Sequence, residues 1–210
     1  MECRYQVVVV GIGPGSPDYV LPVVSRRIAQ ARVLVGSKRA LDTFAAGGQV
    51  TRIIDKDING VLDFIEEQLA SQDVVVMVSG DPGFYSMLVA VRKRFAPESI
   101  TVIPGISSAQ LAFARVAEVW QDAALISMHG RTAADEVLRY RPGHKLGILT
   151  DTQHNPACIS RILLAFGWPE AAHVWLCANL SYDNEVVAAM TLAEATETPG
   201  FEHSVMVVKA

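Results

Sequence analysis

The stretch Val74-Val75-Val76-Met77-Val78 is apolar at every position and stops abruptly at Ser79-Gly80-Asp81-Pro82-Gly83-Phe84-Tyr85-Ser86. A half-exposed strand alternates apolar and polar residues. A run without alternation belongs to a strand covered on both faces, as in parallel sheets flanked by helices. Such strands deliver their following loops to one edge of the sheet, where α/β proteins hold ligands. Gly80 and Gly83 leave the backbone accessible, and Asp81-Pro82 has the chemistry of a helix cap and first turn. A ligand site is therefore expected at this strand end, with a helix starting at Asp81-Pro82.

The same rhythm recurs along the chain. Residues 5–10 read as a strand entering the turn Gly11-Ile12-Gly13-Pro14-Gly15-Ser16, followed by a helix carrying Val20, Leu21, Val24 and Ile28. Strands are expected at residues 32–35, 50–54 and 100–103, with helices at 40–46, 61–69, 87–91 and 109–117. Strand, glycine turn and helix in succession predict a doubly wound parallel sheet. The rhythm pauses at residues 118–122, where a link is expected between two α/β domains, residues 1–117 and 123–210. The second domain has expected strands at 123–128, 145–149, 173–178, 186–190 and 204–208 and few helices after residue 166, which predicts a mixed, partly antiparallel sheet.

Half of the 210 residues are apolar, enough for real cores and incompatible with a disordered or fibrous chain. A formal charge of −4 argues against a general binder of phosphate backbones, so no nucleic-acid partner is expected. Cys3, Cys158 and Cys177 are odd in number and scattered, which points to neither a disulfide framework nor a thiolate zinc site but to a reducing cytoplasm. No basic leader opens the chain and no apolar stretch approaches the ~20 residues that span a bilayer, so a soluble protein away from membranes is expected. His129, His144, His154, His173 and His203 show no paired spacing, and no metal site is expected.

The first glycine turn invites a dinucleotide reading, which its details oppose. Pro14 removes an amide that a pyrophosphate would need, and Gly36-Ser37-Lys38 stands where an acidic residue would hold a ribose. Asp81, Ser107 and Ser108 are each ordinary helix starters taken singly. Three glycine-containing turns at the ends of parallel strands converge on one edge in this topology, however, and together they make a binding cleft. His129-Gly130-Arg131, a strand-end turn with a cation, suits a ligand bearing carboxylates. There is no GxSxG motif and no cysteine in a nucleophile setting, so covalent hydrolysis is unsupported.

Taken in order, Gly11-Ile12-Gly13-Pro14-Gly15, Ser79-Gly80-Asp81-Pro82-Gly83-Phe84-Tyr85-Ser86 and Pro104-Gly105-Ile106-Ser107-Ser108 resemble the tetrapyrrole (corrin and porphyrin) methylase family over essentially the whole chain. The segments from Val35 to Leu41, Ser127 to Arg131 and Leu149 to Asp151 are similar to the branch that methylates a meso carbon of cobalt-precorrin-7 or precorrin-6Y in the cobalamin pathway. The resemblance implies two α/β domains with S-adenosylmethionine in the cleft between them, and a homodimer. It implies cofactor contacts from Gly80, Asp81, Tyr85, Ser107 and Ser108, closed over by Leu149, Thr150, Asn179 and Leu180. Gly13 and Pro14 would face the macrocycle, with Lys38, Arg39, His129 and Arg131 as partners for its carboxylates. Ala178 departs from the acidic residue expected there. Some relatives carry a fused decarboxylating methyltransferase domain; its chemistry would here need a separate partner protein. No acid/base pair is demanded, because holding an electron-rich ring carbon in line with an electrophilic methyl can supply ~7–11 kcal/mol of the barrier. The rival readings are a relative that methylates RNA or a modified protein, and a non-catalytic corrinoid- or nucleotide-binding module.

Overall fold

The computed structural model describes residues 5–201 and 204–210; Cys3 and His203 lie outside these. The chain divides into two compact units, Met1–Ser107 and Ser108–Ala210.

The first unit runs β1 (Val7–Gly11), α1 (Pro22–Gln30), β2 (Val33–Gly36), α2 (Lys38–Phe44), β3 (Val50–Ile53), α3 (Ile58–Gln68), β4 (Val74–Val78), α4 (Leu88–Arg94) and β5 (Ile100–Ile103). Its strands are all parallel, in the order β3-β2-β4-β1-β5. The apolar runs are central, as their lack of alternation requires: β1 and β4 are buried at every residue, and each fully buried valine contributes about 1.5–3 kcal/mol. Side chains still alternate between the two faces. Val8, Val10, Leu34, Val75 and Met77 meet α1 and α2 through Val24, Ile28, Ala40 and Leu41. Val7, Val9, Val35, Val74 and Val76 meet α3 and α4 through Val61, Leu62, Ile65 and Val91.

The second unit runs α5 (Ser108–Arg115), β6 (Ala124–Ser127), α6 (Asp135–Leu138), β7 (Lys145–Leu149), α7 (Pro156–Ala165), β8 (His173–Ala178), β9 (Val186–Thr191), α8 (Leu192–Ala195) and β10 (Ser204–Lys209). The sheet order is β6-β7-β10-β8-β9, with β6 and β7 parallel and the other pairs antiparallel, the mixed sheet expected. One face buries Ile148, Leu176, Met206 and Met128 against Ile159, Leu163, Leu192 and Trp168, whose indole donates to Leu138 O at 2.7 Å. The other face takes α5, whose Phe113 is fully buried and packs where Gly147 leaves room on β7.

Two sequence expectations change. Residues 109–117 were placed in the first domain, but α5 packs on β7 and β10 and so belongs with the second unit, the division falling at Ser107 and not at residues 118–122. Segment 118–122 is instead tied to the second unit by nearly buried Lys145, whose Nζ donates to Val119 O at 2.9 Å and Asp122 Oδ1 at 3.2 Å and pairs with Glu118 at 3.3 Å. Between β6 and β7 the chain forms only the single helical turn of α6. Among the described residues no helix is long and apolar enough to cross a membrane, and no group of three or more His, Cys, Asp or Glu is placed to hold a metal.

Candidate functional site

From β1 the chain moves outward through β2 to β3 with α1 and α2 on one face, then returns through β4 to β5 with α3 and α4 on the other. Right-handed crossovers require this change of face when the direction reverses. The loops leaving the neighbouring strands β1 and β4 therefore part to opposite sides, and the crevice between them is the place where such sheets hold ligands.

The backbone is drawn tight at that point. Gly80 N donates to Gly13 O at 2.7 Å and Ile12 N to Val78 O at 2.9 Å, so the two loops are bridged just beyond their strands. Asp81 then reaches over the end of β1: Oδ1 accepts from Gly83 N in its own loop at 2.7 Å, and Oδ2 accepts from Gly105 N, beyond β5, at 3.0 Å. This span is possible because Gly11 and Gly105 lack side chains. A Cβ on Gly11 would lie 2.5 Å from Gly80 O and 2.7 Å from Gly105 N, and one on Gly105 would run into the same Gly80 oxygen.

Asp81 is therefore a clamp between strand-end loops, not the helix cap that Asp-Pro implies. Helix α4 starts only at Leu88, whose amide is taken by Ser86 Oγ at 3.1 Å. The intervening turn presents Tyr85, 44% exposed, with φ at +52° and its ring edge-on to Phe84 at 4.8 Å. A cavity of about 220 Å³ opens here, lined by Ser37, Ile54, Met77, Ser79, Tyr85 and Ser86. A slightly larger hollow of about 290 Å³ lies at the opposite, amino-terminal edge of the sheet beside Arg27, Arg32 and Asp73, away from the strand-end backbone.

The structure thus brings Gly13, Gly80, Asp81 and Tyr85 together and adds Gly105. Arg39 joins them: its Nη2 reaches Ser79 Oγ at 3.5 Å, the outer limit of a hydrogen bond. Lys38 does not, for it pairs with Asp42 at 2.9 Å on the exposed side of α2. Pro14 is half-buried just beyond the Gly13 bridge. Ser107 is buried in the first unit, whereas Ser108 opens α5 in the second.

In the second unit the carboxyl ends of β6, β7 and β8 share one edge. Thr150, beyond β7, is buried and its hydroxyl is fully engaged, with Ser204 O at 3.0 Å and Ser204 N at 2.9 Å. It joins the strand ends. Leu149 is half-buried; Leu180 is buried; Asn179 is exposed with φ at +50°. Asn179 belongs to a turn in which Ser181 also has positive φ, at +74°, and Ser181 N donates to Glu185 Oε2 at 2.6 Å. Arg115 grips the same carboxylate through Nε and Nη2 and holds its pKa below the usual range, with burial opposing.

His129, Gly130 and Arg131 are exposed beyond β6. The His129 ring lies with Nδ1 3.3 Å from Thr150 O, and Gly130 N donates to Asp151 Oδ2 at 2.6 Å. Sequence reasoning assigned no role to Asp151, Glu185, Gly105 or Ser204. Asp151 and Gly105 stood inside the motifs, at the ends of strands; nothing local marked Glu185 or Ser204, whose partners are distant in the chain or need the folded loop.

The family model for Tetrapyrrole (Corrin/Porphyrin) Methylases matches residues 6–196. The cobalt-precorrin-7 C(5)-methyltransferase of Salmonella typhimurium is 33% identical over 177 residues, covering 84% of this chain and 86% of that protein. Among solved structures, the cobalamin biosynthesis precorrin-6Y methylase from Archaeoglobus fulgidus superposes with a TM-score of 0.73 at 24% identity, covering 97% of both chains. The uroporphyrin-III C-methyl transferase from Thermus thermophilus complexed with S-adenyl homocysteine gives a TM-score of 0.73 at 18% identity, over 97% of this chain and 91% of that one. Matched over nearly its full length, and carrying its glycine turns at the ends of β1, β4 and β5, this chain belongs to the tetrapyrrole (corrin/porphyrin) methylases.

Proposed function

We propose that the protein is an S-adenosylmethionine-dependent methyltransferase that methylates a meso carbon of a precorrin, cobalt-precorrin-7 or precorrin-6Y, in cobalamin biosynthesis. The observation that carries this reading is the likeness to the Salmonella cobalt-precorrin-7 C(5)-methyltransferase, which extends over most of both chains.

The residues beyond β4 fit such a methyl donor. Hydroxyls of Ser79 and Ser86, the exposed Tyr85 ring and open backbone line the cavity, a set suited to a nucleoside carrying a cation and no phosphates. The bound cofactor would supply an electrophilic methyl on a sulfonium that leaves as a neutral thioether. Gly80, Asp81, Tyr85 and Ser107 are its proposed contacts in the first unit, and Ser108, Leu149, Thr150, Asn179 and Leu180 those in the second. Asp81 acts through the backbone it fixes, since each of its oxygens already accepts an amide. Arg39, His129 and Arg131 meet carboxylates of the tetrapyrrole, while Gly13 and Pro14 support its ring. Lys38 assists once released from its exposed pair with Asp42, which is worth only ~0.3–0.5 kcal/mol as a helical i,i+4 pair. The active species is a homodimer in the cytoplasm, and a separate decarboxylating methyltransferase is a proposed partner.

The test is methyl transfer by the purified protein from S-adenosylmethionine to cobalt-precorrin-7 and to precorrin-6Y, followed by mass spectrometry. Gain of one methyl on a precorrin, with none on RNA, is the expected result; no transfer to either ring overturns the assignment.

A further inference from the structure

We infer that Asp151 is a positioning residue for tetrapyrrole recognition, its carboxylate holding the exposed turn that carries His129 and Arg131 against the end of β7. The inference rests on the methyltransferase reading above, which places the acceptor's carboxylates at that turn.

Asp151 is only 8% exposed, and a buried carboxylate is tolerated where its oxygens are satisfied. Its hydrogen-bond partners are backbone amides from two loops, and the His154 ring stands with Nδ1 3.8 Å from Oδ1. Oδ1 accepts from Gln153 N at 2.8 Å and His154 N at 2.6 Å, which closes the loop after β7. Oδ2 takes no part in that closure; it accepts from Gly130 N at 2.6 Å, across to the loop after β6. A residue serving only its own loop needs Oδ1 alone, so the second oxygen is what gives Asp151 a reach beyond it.

The turn it grips lies at the surface of the second unit. His129, Gly130 and Arg131 are exposed, a Cβ on Gly130 would meet nothing within 4 Å, and φ there is +65°. Polar ties order it, among them Met128 N to Leu149 O at 2.9 Å, His129 N to Ser127 Oγ at 3.3 Å, the His129 ring at Thr150 O, and the Asp151 bond. The Asp151 bond is the shortest of these and the one carrying a full charge, the kind about twice as strong as a neutral bond. A turn fixed before binding loses less freedom when it meets a ligand, so the effect falls on acceptor affinity.

Asp151→Asn separates the two oxygens. An asparagine keeps its carbonyl on Gln153 and His154, where it saves two bonds, and turns its NH₂ toward Gly130 N–H, where the bond is lost. In the full-length protein the expected result is a KM for cobalt-precorrin-7 raised about ten-fold or more, with kcat and the S-adenosylmethionine Kd within about two-fold of the parent. Hydrogen exchange should accelerate at the Gly130 amide and stay slow at Gln153 and His154. If Asp151→Asn fails to fold, Gly130→Ala serves instead: at φ +65° a side chain strains the turn that Asp151 holds while leaving the Asp151 loop intact, and the same rise in KM is expected. An unchanged KM alongside faster Gly130 exchange overturns the inference. So does a parallel loss of kcat, KM and cofactor affinity, the mark of general damage. A parent protein that transfers no methyl to either precorrin overturns the methyltransferase reading and this inference with it, whereas an active parent with an indifferent variant overturns the inference alone.

Discussion

Removing the Asp81 carboxylate tests whether the three glycine turns are held by a side chain or by their backbone geometry alone. Asp81→Ala deletes two hydrogen bonds to charge, one to the exposed Gly83 amide at 2.7 Å and one to the partly buried Gly105 amide at 3.0 Å. Water can replace the first, so it should count for ~1 kcal/mol, whereas the second falls in the ~1.5–3 kcal/mol range of bonds to ionised groups. The first unit should lose ~2–4 kcal/mol in all. Asp81→Asn can satisfy one amide but must point its NH₂ at the other, so it should lose roughly half as much, ~1–2 kcal/mol. Equilibrium urea unfolding measures this, and far-UV circular dichroism is the probe to use. Trp120, Trp168 and Trp175 all lie in the second unit, so their fluorescence does not report on the first. Calorimetric affinity for S-adenosylmethionine should fall in the same order, parent, Asn, Ala. A loss below ~0.5 kcal/mol in Asp81→Ala, the size of an ordinary surface change, would show that the clamp bears no load and refute the reasoning.

The second unit supplies two further tests, both readable by tryptophan fluorescence. In Gly147→Ala the new Cβ would sit 2.7 Å from Phe113 Cε2 and 2.8 Å from Leu125 Cδ2; overpacking of this kind costs ~1–3 kcal/mol, and an unchanged urea midpoint would contradict the tight fit of α5 on β7. Acid should loosen the same unit. The Lys209 ammonium, then Lys145, holds Glu118 below the usual carboxylate range against the effect of burial, and the Gly130 and His154 amides do the same for Asp151. Folded pKa values below the unfolded ones mean stability present above the unfolded values, near pH 4, and lost as pH falls through the depressed ones. The urea midpoint should therefore decline from about pH 5 downward, with Glu118→Gln flattening part of the slope; a profile flat to pH 3 would count against both networks.

What the sequence revealed follows from the range of the forces involved. Buried parallel strands announce themselves, because a residue covered on both faces must be apolar whichever way it points; hence β1 and β4 were legible and so was the edge at which their loops gather. Strand order is a different matter. That β4 inserts between β2 and β1 depends on pairings across tens of residues, and no local pattern records them. Helix α5 shows the same limit, for Leu111, Ala112 and Phe113 declare an apolar face without saying which sheet it covers. Asp81 was misread for a subtler reason. Asp-Pro has the right chemistry for a cap, but its oxygens had a better offer from Gly83 and Gly105, and the second of these lies 24 residues on. Thr150 likewise carries a role the sequence did not show, its hydroxyl joining two strand ends through Ser204.

Asp81 and Asp151 end by resembling one another more than their surroundings do. Each follows a parallel strand in a separate sheet; each gives Oδ1 to amides of its own loop and Oδ2 to a glycine amide of another strand-end loop, at 3.0 Å for Gly105 and 2.6 Å for Gly130. Side chains used this way cannot serve as proton carriers, since their oxygens are committed to backbone. They make flexible glycine loops behave as rigid elements. Carbon attack on an activated methyl needs exactly that kind of help, because the barrier is lowered by holding two groups in line within a few tenths of an ångström more than by moving protons. The two aspartates are where the chain answers that need for precision.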